Sequence, residues 1–145
     1  MTAKEIHDYI IDTFTHFEGI KTVIVAGHKK VNDAFLNDAE YPLLWFMWPP
    51  QRKVIYAADI RKIRWSFDMY VLKHAQFDDE ETTTQNYDDC QEIAEKVFEK
   101  LEIDAYVYRD FEFDTTENTE EWLPKEQYGM DNCNGWYIPM SLVTV

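Results

Sequence analysis

From Arg61 to Leu72 apolar and polar residues alternate strictly. Ile63, Trp65, Phe67, Met69 and Val71 fall on one parity, and Lys62, Arg64, Ser66, Asp68 and Tyr70 on the other. A period of two belongs to a strand with one face in a core. At about 3.3 Å per residue the stretch runs roughly 35 Å, so it crosses a small domain and needs neighbours on both sides. Burying five such side chains contributes on the order of 10 kcal/mol before chain entropy is subtracted. A slip of one residue in register would turn all of them into water. The remaining elements are expected to arrange themselves about this strand.

Near the start of the chain, Thr2 and Glu5 have capping-box spacing. Ile6, Tyr9, Ile10, Thr13, Phe14 and Phe17 then recur at helical spacing until Gly19, which predicts a first helix over residues 3–18. The β-branched run at residues 21–26, closed by Gly27, predicts a short strand. Residues 28–40 are polar and irregular and read as a loop with at most a helical turn near 32–36. Tyr41-Pro42 opens, and Pro49-Pro50 closes, the run LLWFMW, a strand apolar on both faces. One face can lie under the first helix. The other needs a second layer or another subunit to cover Leu44, Phe46 and Trp48 or their alternates. Residues 51–53 read as a polar turn. Residues 54–58 lead into the long strand, which begins before Ile60 or after a bulge at residues 57–58 and forms a hairpin with its predecessor.

From Phe77 the chain becomes acidic and polar, which reads as a solvated loop with Asp78, Asp79, Glu80 and Glu81 placed to meet a partner. A second helix is expected over residues 87–101, where Cys90, Ile93, Ala94, Val97 and Leu101 form one stripe. Residues 105–113 alternate and predict a strand, 114–134 a long excursion, and 136–145 a last strand. Pro139 marks this last strand as an edge or bulged one, open to pairing with a neighbour. The resulting class is α+β: an antiparallel or mixed β-sheet with two helices packed on one face, in a single domain over residues 1–145. A regular βαβαβ alternation is lacking, which argues against a doubly wound nucleotide-binding fold.

Composition narrows the function more than the elements do. The 145 residues carry a formal net charge of −14 with 46% hydrophobic and 16% aromatic residues, a globular chain poorly suited to gripping nucleic acid. Cys90 and Cys133 are far apart without a CxxC, so neither a disulfide framework nor a zinc site is expected. A signal peptide and a membrane span are not expected either. His7, His16, His28 and His74 lack metal-ligand spacing, and no phosphate-cradling glycine motif or nucleophile elbow occurs. Cys133, in DNCNGW, reads as part of an exposed turn with no histidine nearby to activate it. With 28 acidic residues, a carboxylate pair of suitable spacing carries no information. Trp48, Trp122 and Trp136 have the shape to stack on sugars, with core packing or an interface the better reading. No enzyme activity, cofactor or metal is expected.

Taken together, Tyr41-Pro42-Leu43-Leu44-Trp45, the strand at 63–72 followed by Phe77-Asp78-Asp79-Glu80, the helix at 87–101 and the stretch Asp131 to Trp136 before a last strand form an order that resembles the tail terminator and tail-completion proteins of tailed bacteriophages. The likeness spans nearly the whole chain as an arrangement, on short motifs. It implies a virion subunit, assembled in the host cytoplasm, that forms a ring, typically hexameric, at the tail-neck junction. There it would end tail-tube growth and join the tail tube protein to the head-tail connector, with DNA passing through unbound. On that reading Leu44, Phe46, Trp48, Trp136, Ile138 and Met140 are candidates for the subunit interface. A head-tail connector or stopper ring of the neck is the first alternative. More remote ones are a carbohydrate-binding module using Trp122 and Trp136, and an acidic inhibitor that mimics DNA.

Overall fold

The strict alternation becomes the longest strand of a computed structural model that describes residues 1–37, 39–75, 80–113, 120–128 and 132–145. In chain order the elements are α1 (Ala3–Phe14), β1 (Thr22–Ala26), α2 (His28–Leu36), β2 (Leu43–Met47), β3 (Gln51–Ala57), β4 (Ile60–His74), α3 (Glu80–Tyr108), β5 (Glu112–Phe113), β6 (Leu123–Tyr128) and β7 (Cys133–Thr144). The strands form one seven-stranded mixed sheet of order β1-β2-β4-β7-β5, with β3 beside β4 and β6 beside β7. Only β1 and β2 run parallel, joined by a crossover through α2; the other pairings are antiparallel. The class is α+β with a mixed sheet, as its pattern predicts.

On one face of β4, Trp65, Phe67, Met69 and Val71 are buried with Leu44, Phe46, Ile138, Met140 and Leu142 of the neighbouring strands. Two helices roof that face. α1 lays Ile6, Ile10 and Phe14 on it, with the Phe14 ring 5.8 Å from Phe46, and its start is fixed by the Thr2–Glu5 capping box. It stops at Phe14, earlier than the spacing of Phe17 suggests, and Gly19 takes the left-handed turn at φ 87°. α3 lays Cys90, Ile93, Ala94, Val97, Phe98 and Leu101 over β4 and β7. α3 is longer than its apolar stripe. It starts at Glu80, where two carboxylates face the positive end of the helix dipole, and it runs through Tyr108 before Arg109 turns left-handed at φ 59°. The alternation at 105–108 is thus a helix end with its aromatics in solvent, and only Glu112–Phe113 is strand.

The opposite face holds a smaller core. α2 places Val31 and Phe35 against Ile24, Leu43, Trp45 and Leu72. The Trp45 ring stacks on Tyr70 at 4.3 Å, and its indole nitrogen donates to the Ala26 carbonyl at 2.7 Å. The loop expected at 28–40 is therefore mostly this helix, and it supplies the second layer that the two-sided strand required.

β7 is not an edge. It pairs with β4 from Ile63↔Thr144 to His74↔Cys133, and β5 and β6 pair with its other side. Pro139 falls between the residues that meet β6 and those that meet β5, so β7 is an edge only locally among the described residues. Gly135 marks the closest approach of the two long strands, since a Cβ there would lie 1.8 Å from the Val71 carbonyl oxygen.

Candidate functional site

The residues expected to contact other subunits are used by the chain itself. Leu44, Phe46 and Ile138 are fully buried and Met140 nearly so, all in the core beneath α1 and α3. Trp48 is half-buried between the His7 ring at 5.6 Å and Phe67 at 6.0 Å. Trp136 is half-buried, edge-on to Tyr87 at 5.4 Å and Trp122 at 6.0 Å, and its indole donates to the Tyr87 carbonyl at 3.0 Å. Leu44, Phe46, Ile138 and Met140 are spent on the core, whereas Trp48 and Trp136 keep part of their surface in solvent. Of the acidic stretch, Asp78 and Asp79 lie outside the described residues, and Glu80 and Glu81 form the first turn of α3.

Reactive groups are buried rather than gathered. Cys133 sits inside β7, not in an exposed turn, and Cys90 is on the buried face of α3. Burial pushes the Cys90 thiol up to about 12, so it stays protonated at neutral pH and is a poor nucleophile. Asp104, only 3% exposed, accepts from the Tyr9 hydroxyl at 2.6 Å and from Lys100 Nζ at 2.9 Å, tying α1 to α3. Burial, helped by that carboxylate, raises the Tyr9 phenol far above its ordinary value. Among the described residues no three His, Cys, Asp or Glu side chains stand close enough to hold a metal ion. No helix is long and apolar enough to cross a membrane.

What the fold leaves unsatisfied is one pole. β3 and β4 form a hairpin whose closing residues, Ala58 and Asp59, both have positive φ (50° and 64°), the two-residue turn that matches strand twist. β7 stops opposite Ile63, so the pairs Ala57↔Ile60, Tyr56↔Arg61 and Ile55↔Lys62 project past the end of the sheet. Tyr56 is 72% and Ile60 54% exposed. α3 ends at this same pole, because β5 follows it and pairs with Leu142 and Val143. There Ile103, Tyr106, Val107 and Tyr108 stand in solvent, Tyr106 at 78%, together with Val145. Among the described residues every large apolar side chain that is strongly exposed lies at this pole, except Leu123 on β6.

Charge is as uneven as hydrophobicity. Residues 51–64 contain Arg52, Lys53, Arg61, Lys62 and Arg64 against the single acid Asp59, in a chain of net charge −14. The Arg52 guanidinium lies over Trp65, 5.7 Å from the ring centre, and Lys62 reaches Glu112 at 3.3 Å. Across the sheet, beyond β7, the outward stripe of α3 carries Glu92, Glu95, Glu99 and Glu102. With Glu120 and Trp122 they line a shallow groove of about 320 Å³. Both features were visible as letters, but the sequence alone does not show that they sit on opposite edges of one sheet.

No protein-family model matches this chain, and no curated protein matches it.

Proposed function

We propose that the protein is a structural ring subunit of a tailed-phage virion, a tail terminator or tail-completion protein. It closes the end of the tail tube and presents a surface to the head-tail connector. The observation that carries the reading is the apolar pole: Tyr56, Ile60, Tyr106, Val107 and Tyr108 exposed together on an otherwise well-packed domain. Large apolar side chains left in solvent at one end of a domain mark an association surface. The sequence resemblance supplies the kind of association, and an α+β subunit with a mixed sheet accords with it. A strongly acidic chain suits a channel that DNA must traverse without adhering. A head-tail connector ring differs from this reading only in the partner engaged.

Negative-stain microscopy of the purified protein, alone and with the tail tube protein, tests the proposal. Rings that dock on tube ends and arrest their lengthening are expected. A particle that neither forms rings nor binds tube ends contradicts it.

A further inference from the structure

We infer that neighbouring copies join head to tail, with the basic β3–β4 hairpin of one seated in the acidic α3 groove of the next. The inference deepens the ring reading and rests on it, and the occupant of the groove is a second copy of this chain.

Three observations converge on this contact. First, the two surfaces are complementary in charge within one sequence. The hairpin carries Arg52 and Arg61 on one face and Lys53, Lys62 and Arg64 on the other, with Lys62 bridged to Glu112 at 3.3 Å, whereas the groove holds Glu92, Glu95, Glu99, Glu102 and Glu120, offset on that face by Lys96, which is bridged to Glu92 at 3.3 Å. Carboxylates three and four residues apart on one helix face repel one another, so α3 carries a cost that an external cation relieves.

Second, the surfaces match in layout. Arg61 stands opposite Tyr56 across the hairpin, and Arg52 lies on the same face four residues before Tyr56. The result is an aromatic ring with one cation beside it and another about 13 Å along the strand. In the groove the indole of Trp122 is stacked on Phe98 beside carboxylates that span Glu95 to Glu102, about 10 Å of helix.

Third, the surfaces lie on opposite sides of the sheet. β3 flanks β4 on one side, and α3's outer stripe with Trp122 flanks β7 on the other. A subunit therefore cannot satisfy its own groove. A two-fold pairing of hairpin with hairpin would set cation against cation. The contact left is heterologous, the type that closes into a ring. A nucleic acid is the weaker occupant for the hairpin, because five cations on a body of net charge −14 repel a polyphosphate at longer range.

Charge exchange tests this contact, read by light scattering across protein and salt concentration. R52E/R61E and E95K/E99K change exposed side chains, and each variant should stay folded and melt in one cooperative step. Each alone should weaken self-association by about a hundredfold. An equimolar mixture of the two, in which every contact regains opposite charges, should recover assemblies of wild-type size. Wild-type assembly should weaken with added salt. If wild type assembles and R52E/R61E assembles equally well, or the mixture fails to recover, the proposed contact is wrong while the ring reading stands. If R52E/R61E keeps its assembly and instead loses binding to duplex DNA, the hairpin is a nucleic-acid contact and the inference is overturned. A wild type that stays monomeric at every concentration overturns both.

Discussion

The two halves of β4 have opposite fates. From Trp65 to Leu72 the strand has β7 on one side and β3, then β2, on the other, and is roofed on one face by α1 and α3; at its far end α2 covers the other face, so nearly every side chain there is consumed by the subunit. From Ile60 to Lys62 the same strand, still paired with β3, runs out past β7 and carries two cations and the exposed Ile60. One continuous alternation thus makes a core and then a limb. The difference arises from what lies opposite: β7 ends at Thr144 against Ile63, and nothing described covers the strand beyond. An alternating pattern shows that a strand has two faces, and its neighbours decide whether either face is satisfied.

The sharpest break in that comparison is a large-to-small change in each half. Trp45→Ala removes a fully buried ring, its stack on Tyr70 and its bond to the Ala26 carbonyl, and should cost about 4 kcal/mol in denaturant melts. Tyr56→Ala in the hairpin should change the stability of the monomer by less than about 0.5 kcal/mol. Comparable losses at the two sites would mean that the hairpin belongs to the core after all. Next in size is Gly135→Ala, where a methyl group meets the Val71 carbonyl. It should cost about 2–3 kcal/mol and lower the melting temperature without altering the hairpin.

Much of this division was legible in the sequence, and the misses have physical causes. The alternation at 61–72 and the Thr2–Glu5 cap act locally, and both held. α2 is faint in the letters because, among the described side chains, Val31 and Phe35 alone are its buried large apolar groups, and its N-cap is Gly27, which makes no side-chain hydrogen bond. The letters do not say which face of LLWFM lies under α1: Leu44 and Phe46 lie beneath α1 and α3, and their alternates Leu43 and Trp45 face α2. Pro139 suggested an edge strand because a missing N–H is a local fact, whereas β7's central place depends on pairings distant in sequence. The end of α3 alternates because solvent accepts aromatics at a pole as readily as a strand does. The basic limb and the acidic stripe could be read as letters, but their opposition across the sheet is a property of topology.

Acid-base behaviour should separate core from limb further. Burial raises Cys90 from 9.0 to about 12, and raises Tyr9 and Tyr70 well above the usual phenol range. The folded chain keeps these protons where the unfolded chain releases them. Their stabilisation is therefore fully present below about pH 9 and is lost as pH rises from there. Thermal melts should show a falling midpoint above about pH 9, with a shallower fall in Tyr9→Phe. A midpoint flat to pH 11 would contradict the burial of these groups.

The smallest effect belongs to the turn. Ala58 holds a left-handed conformation that asparagine tolerates better, so Ala58→Asn should stabilise the protein by about 0.5 kcal/mol, a rise of about 1–2 °C in melting temperature. A drop instead would mean that the turn differs from the one described.

Hydrogen exchange, followed residue by residue at dilute and at assembling concentrations, tests most directly whether the limb is completed by another copy. The account predicts that amides of residues 54–62 exchange faster than those of 69–72 in the dilute protein and slow by about tenfold or more on assembly, while those of 69–72 are protected equally in both states. Hairpin amides that exchange alike in the two states would contradict it.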